Sequence, residues 1–316
     1  MPLFFNGVDI KAVVYNGVPL TQLVYNGVVV WTSGPIVGVY YGGTTGSGGL
    51  NTVTRINASG ALVGSETNVG TARVGPAGAP VGDNGVYYGG SVSTTLFNRV
   101  TRINSSGALV GSETNVGTAR GGPAGAPVGD NGVYYGGSLP RTSSKGPPPA
   151  SNIVTRINAS GALVGSQTNV GTARTTLAGA PVGNNGVYYS GGTFTTVTRI
   201  NASGALVGSE TNVGTARASL AGAPVGDNGV YYGGNATNIV TRINSSGALV
   251  GSETNVGTGR STLAGALVGN NGVYYGGSSD FVTGLNTVTR INASGALVGS
   301  ETNVGTARRS SAGAGL

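Results

Sequence analysis

Apolar and polar residues alternate along this chain only in short runs. Stretches such as Ala77-Gly78-Ala79-Pro80-Val81, Val86-Tyr87-Tyr88 and Thr52-Val53-Thr54-Arg55-Ile56 are rich in Val, Ala, Thr and Tyr and bounded by Gly, Asn, Asp and Ser. Runs of that length and composition predict β-strands. A fourth run, Ala61 to Thr67, completes a unit of four short strands when equivalent positions are superposed. Between the runs, Asp83-Asn84-Gly85 and Asn57-Ala58-Ser59-Gly60 supply residues that accept positive φ, as hairpin turns require.

The unit recurs. Gly-Val-Tyr-Tyr begins at Gly38, Gly85, Gly132, Gly186, Gly229 and Gly272, with spacings of 47, 47, 54, 43 and 43 residues. Each copy is followed by Arg-Ile-Asn-Ala/Ser-Ser-Gly-Ala-Leu-Val-Gly-Ser, first at Arg55 and last at Arg290, then by Thr-Asn-Val-Gly-Thr and an Arg, as at Arg73 and Arg308. A period of this size with four antiparallel strands is that of propeller blades. The chain therefore reads as all-β, with a six-bladed β-propeller over residues 32–316. Blades 2 to 6 open on Ala-Gly-Ala-Pro/Leu-Val, whereas blade 1 starts at Gly34-Pro35-Ile36-Val37-Gly38 without that strand, and the chain ends in Ala312-Gly313-Ala314-Gly315-Leu316. Residues 312–316 are expected to pair into blade 1 as its missing strand, which leaves no strand edge open.

The diglycine after each second strand (Gly42-Gly43, Gly89-Gly90, Gly136-Gly137, Gly191-Gly192, Gly233-Gly234, Gly276-Gly277) resembles the signature of kelch-type propellers. The Trp usual in kelch blades is missing, since the single Trp is Trp31, so the resemblance implies a kelch-like fold and no partner class. Strand parity then sorts the loops. In an up-and-down blade the turns between strands 1 and 2 and between strands 3 and 4 share one face. The 2-to-3 loops and the links between blades share the other. The first face is nearly uniform in sequence. On the second, the spacers from diglycine to the Val of Val-Thr-Arg measure 9, 9, 16, 4, 5 and 10 residues, and the triplets after the repeated Arg run from Val74-Gly75-Pro76 to Arg309-Ser310-Ser311. Variable loops on a rigid scaffold are where recognition is expected, and simple tolerance of loop change is the alternative.

Residues 1–31 have a period of ten instead, in Phe5-Asn6-Gly7, Tyr15-Asn16-Gly17 and Tyr25-Asn26-Gly27, and end in Val28-Val29-Val30-Trp31. Asn-Gly between apolar runs predicts hairpins, so a small N-terminal β-meander is expected. A segment of ~30 residues buries too little to stand alone. It must pack on the propeller, on copies of itself or on another protein. Its aromatic-Asn-Gly-Val hairpins resemble N-terminal segments of bacteriophage virion proteins, tail and fibre components in particular. That resemblance implies an anchoring module, with Phe5, Tyr15, Tyr25 and Trp31 meeting other virion proteins on the side opposite the variable loops. It also implies a virion location after assembly in the host cytoplasm. A homo-oligomer is left open.

Composition narrows the chemistry. With 61 Gly and 13 Pro in 316 residues a helical bundle is excluded, and 9% charged against 38% hydrophobic residues argues against a highly charged disordered chain. The formal charge is +7, but the arginines recur by repeat instead of forming a basic stripe, so nucleic acid is not an expected partner. There is no Cys and no His, which removes disulfides, thiolate metal sites, imidazole bases and Ser-His triads. No metal, cofactor or enzymatic activity is expected. No apolar run approaches the ~20 residues of a membrane-spanning helix and no signal-peptide pattern is visible, so neither membrane insertion nor export by a signal is expected.

Repeated polar residues are read first as structure. Glu66, Glu113, Glu210, Glu253 and Glu301, with Gln167 in blade 3, hold one repeat position and are assigned as partners of a repeated Arg. The series Arg73, Arg120, Arg174, Arg217, Arg260 and Arg308 has two readings, an anion-attracting ring at the mouth of the variable face or a set of staples between blades. The adjacent tyrosines from Tyr40-Tyr41 to Tyr274-Tyr275 must face opposite sides of a strand and are read as blade-to-blade packing. Residues that occur once are the binding candidates: Phe97, Arg99, Arg141, Lys145, Phe194, Asp280 and Phe281, all in the 2-to-3 spacers. Aromatic and basic side chains on loops suit a host-surface glycan or protein. The leading expectation is thus a phage tail-fibre or appendage-type adhesin. A non-adhesive head or tail decoration protein is the alternative, and a glycan-processing enzyme the weaker one.

Overall fold

The computed structural model describes residues 37–316 except 47 and 142–145, and, of the first 36 residues, the backbone of six short strands. The chain divides into two units, Met1–Ile36 and Val37–Leu316. In the first, Leu3–Phe5 pairs with Val8–Ile10, Val14–Tyr15 with Val18–Pro19, and Gln22–Tyr25 with Val28–Thr32. The ten-residue period therefore builds three hairpins, one around each Asn-Gly. Among the described residues they are not joined into one sheet, which departs from the expected meander. A tight turn fixes only its own two strands; pairing between hairpins depends on packing that the period does not encode. The side chains of Phe5, Tyr15, Tyr25 and Trp31 lie outside the described residues.

The second unit is a six-bladed propeller of four-stranded antiparallel sheets. Blade 2 runs from axis to rim as Ala77–Val81, Asn84–Tyr88, Arg99–Asn104 and Thr114–Asn115. Blade 1 has the order Ala312–Gly315, Val37–Tyr41, Leu50–Asn57, Thr67–Arg73, so its inner strand is supplied by the C-terminus. Its register runs from Ala312↔Tyr41 to Gly315↔Gly38. The outer strand lies further along than the sequence pattern suggested. Leu62 makes only an isolated bridge to Ile56, Gly64 turns the chain at φ +64, and pairing resumes at Thr67–Arg73. The apolar Ala-Leu-Val run has the look of a strand but serves as a bracket under the turn, and the polar Thr-Asn-Val-Gly-Thr-Ala-Arg run forms the sheet edge.

The core is divided among the six seams between blades. In one, Ala77, Ala79, Val81, Val86, Tyr88 and Val100 of blade 2 pack on Tyr134 and Ile157 of blade 3. Side chains alternate across a strand, so adjacent tyrosines serve two seams. Tyr88 meets Tyr134 with ring centroids 5.3 Å apart, while Tyr87 meets Tyr41 at 5.2 Å. The glycine that opens Gly-Val-Tyr-Tyr makes room for this, because a Cβ on Gly85 would lie 2.8 Å from the Tyr87 ring. At the axis the inner strands stand side by side. A Cβ on Gly78 would come within 2.6 Å of the Gly313 carbonyl oxygen of blade 1, so the middle residue of Ala-Gly-Ala has to be glycine.

Candidate functional site

The repeated polar residues form a knot across each seam. Arg73, at the end of the outer strand of blade 1, is fully buried and reaches into blade 2. Its Nη1 donates to the carbonyls of Gly89 and Arg99, both at 2.8 Å, and its Nη2 donates to Thr101 Oγ1. The guanidinium lies over the Tyr41 ring at 5.3 Å. Thr101 passes the link to Glu113, which also accepts from the Thr71 backbone N–H at 3.1 Å and the Thr71 hydroxyl at 2.6 Å. Both blades are thus held by each other's polar groups. The seam between blades 6 and 1 repeats it: Arg308 donates to the Thr52 carbonyl at 2.8 Å and Thr54 Oγ1 at 2.7 Å, and Glu66 accepts from Thr306. All six arginines are at most 1% exposed, so the reading of an anion-attracting ring is set aside. Their charge is spent on carbonyls inside the disc.

Burial by itself raises the pKa of Glu66, but hydrogen bonds from Thr306 and Thr54, with the Arg308 charge beyond them, outweigh it and hold the carboxyl below its ordinary value. Glu113, Glu210, Glu253 and Glu301 are depressed by the same balance. In blade 3, Gln167 fills the position without charge, accepting from Thr118 Oγ1 at 2.8 Å and donating to Thr155 Oγ1 at 2.6 Å.

The diglycine closes the other side of the knot. Both residues have positive φ, as at Gly89 (+75) and Gly90 (+92), and the Gly90 N–H bonds the Arg120 carbonyl at 2.9 Å. Blade 4 departs from its expected alignment. There Ser190, at φ +65, takes the place of the first glycine and accepts from Arg174, and Gly191 takes the second, so Gly192 belongs to the loop. The Ser190 hydroxyl compensates by accepting from the Arg217 N–H at 2.7 Å.

With the repeated groups accounted for, the loops of the variable face carry what is left. Phe194 and Phe281 are 42% and 54% exposed, and Val282 beside the latter is 67% exposed. Phe281 is held at φ +64. Asp280 builds that tip by accepting from the Ser278 hydroxyl at 2.7 Å and from the backbone N–H groups of Val282 at 2.9 Å and Thr283 at 2.7 Å. These bonds keep its carboxyl well below the usual range, backbone donors first, and commit it to the turn. Arg309 Nε donates to the Val282 carbonyl at 3.1 Å and pins the same tip.

Two other candidates come together. The Arg99 guanidinium lies over the Phe97 ring at 5.8 Å. Arg99, the last position of its spacer, is not loop, however; it opens the third strand of blade 2, where it donates to Thr71 Oγ1 and lies 3.7 Å from Glu113, while Phe97 is half-buried behind a short hairpin of Ser91–Val92 with Thr95–Leu96. The pattern missed this because the strand begins one residue before its first apolar position, Val100. Arg141 is exposed at the start of the longest loop, and Lys145 lies outside the described residues. Sequence reading missed the axial mouth altogether. There a cavity of about 250 Å³ is ringed by Gly75, Gly122, Thr176, Ser219, Thr262 and Ser310, one from each link. Backbone N–H groups of Ser219, Thr262, Ser310, Gly75 and Gly122 each bond the preceding blade's carbonyl around this ring. The signal was present as a variable triplet in each link and its place on the axis was not. No protein-family model matches the chain, and no curated protein matches it.

Proposed function

We propose that the chain is a non-enzymatic bacteriophage virion protein of tail-fibre or appendage type, whose propeller of kelch-like design presents one face to a host-surface glycan or protein. Residues 1–31 would join it to other virion proteins. The observation that carries this reading is the division of labour between the faces. One repeats its turns, while the other carries the exposed aromatics Phe194 and Phe281 on loops of unequal length. Exposed aromatic groups held in a fixed conformation lose little entropy on binding, which favours recognition. A left-handed Phe281 is a costly arrangement to keep for no purpose.

The test compares two variants of the full chain on host cells. Replacing Phe194, Phe281, Arg141 and Lys145 by Ser is expected to leave the melting temperature nearly unchanged and to lower binding at least about tenfold, whereas Phe97, half-buried against Arg99, is left in place. Changing Asn84, Asn131 and Asn228 on the uniform face is expected to affect stability more than binding. A propeller that binds no host surface, or binds equally well after the loop changes, moves the assignment to a head or tail decoration protein. Removing residues 1–31 is expected to release the protein from particles; its retention would place the anchor elsewhere.

A further inference from the structure

We infer that a trough across the variable face, running from the propeller axis outward between the loops of blades 2 and 3, binds an extended anionic saccharide; this names a ligand class and a place for the recognition face proposed above and rests on that reading. The axial cavity shares Gly75, Gly122, Thr176 and Ser310 with a second cavity, also of about 250 Å³. That one in turn shares Ser91, Leu96 and Ser138 with a third of about 590 Å³, walled by Leu139, Pro140 and Arg141. Shared walls make the three contiguous.

The glycines show why the trough lies in this sector. The link residue at the axis is left-handed in every blade, with φ +57, +61, +56 and +57 at Thr176, Ser219, Thr262 and Ser310, and +61 and +55 at Gly75 and Gly122. Four blades keep a hydroxyl side chain in that conformation, so the conformation alone does not call for glycine. Nor does crowding. A Cβ on Gly122 would meet nothing within 4 Å, and one on Gly75 would meet nothing closer than 3.9 Å. What the two glycines remove is bulk from the trough floor.

The lining selects the visitor. Ser91, Ser93, Thr94 and Ser138 both donate and accept, as sugar hydroxyls do, while Leu96 and Pro140 offer surface to the apolar faces of pyranose rings. Among the described residues, Arg141 is the one charged residue lining the three cavities, and it is exposed. A guanidinium suits a carboxylate or sulfate on the chain, and the described lining holds no acid to receive a cationic peptide. The outer cavity alone is of a size usual for ligand sites.

The test uses the full chain and titrates hexagalacturonate, a sulfated hexasaccharide and neutral maltohexaose by calorimetry, with hexa-aspartate as the peptide control. At least one acidic saccharide is expected to bind about fivefold or more tighter than maltohexaose, and Arg141→Gln to abolish that preference. Gly122→Ser is expected to weaken binding about tenfold by filling the floor. Should that variant melt early, Gly75→Ser, expected to weaken binding in the same way, takes its place. Ser65→Ala, on the uniform face and outside the trough, is expected to leave these affinities unchanged. Equal binding of the neutral chain, preference for hexa-aspartate, or affinities untouched by Arg141→Gln and Gly122→Ser would each overturn the proposal. If the chain binds cells through Phe194 and Phe281 but none of the saccharides, the trough proposal fails and the adhesin reading stands. If it binds neither cells nor saccharides, both fail.

Discussion

At the scale of single residues, the seam knots carry more of the architecture than their polar chemistry suggests. A buried guanidinium is costly unless its donors are used. Here Nη1 and Nη2 each find acceptors in the next blade, and only Nε goes without. Removing the side chain leaves two carbonyls and a threonine without their donor. Arg217→Met is expected to cost about 3–5 kcal/mol, read from the denaturant midpoint. Arg217→Lys should recover only part, since a point charge does not span the acceptors. The glutamates set a pH limit. Their folded pKa values lie below the ordinary 4.5, so their contribution is complete above that value and is lost as pH falls through the folded values. Melting temperature is expected to fall on acidification below about pH 4.5, with Glu253→Gln softening the drop and Gln167→Glu steepening it. A melting profile flat to pH 2 would contradict this assignment.

At the scale of elements, two features decide how a blade forms. The first is the turn after the third strand, where Asn57 Oδ1 accepts from the Ser59 N–H at 3.0 Å, the Ser59 hydroxyl at 2.7 Å and the Ala61 N–H at 3.0 Å. The Asn-Ala/Ser-Ser triplets are therefore turn devices, and the same bonds recur at Asn104, Asn158, Asn201, Asn244 and Asn292. The second is the C-terminal strand. Ala312 and Ala314 are buried in the blade 1 core beside Val39 and Tyr41. Deleting residues 312–316 bares the edge of Val37–Tyr41 and is expected to lower the melting temperature well beyond what trimming a loose tail does. An unchanged melting temperature would refute the role given to that strand.

At the scale of the whole molecule, stability resides in six equivalent seams and not in one central core. The first tyrosine of each pair, from Tyr40 to Tyr274, is fully buried, and its hydroxyl donates to a carbonyl of the preceding blade, as Tyr87 does to Val39 at 2.7 Å. Burial raises the pKa of Tyr40, Tyr87, Tyr134, Tyr188, Tyr231 and Tyr274. The neutral phenol is the folded form, so this stabilisation is complete below the ordinary value of 10.0 and is lost as pH rises above it. Phenolate absorbance from these residues is expected to appear in one cooperative step with unfolding. A gradual titration centred near 10 with the fold intact would show the seams to be open to solvent.

The sequence by itself determined the repeat number, the four-strand blade, the tyrosines turned to opposite seams and the face on which variation collects. All of these follow from local period and from the strict alternation of side chains along a strand. It misplaced the outer strand, because a bracket of Ala-Leu-Val and an edge of Thr-Asn-Val differ in what they pair with and not in length. It left the repeated arginines between two roles, since only the approach of the next blade shows which carbonyls they meet. Tertiary structure alone decided that Ser190 replaces a glycine and that Asp280 is spent on its own turn. It alone brought Gly75 and Gly122, 47 residues apart in the chain, to one floor beside the axis. Residues so far apart become neighbours only when consecutive blades pack side by side, and that packing is a property that no single repeat contains.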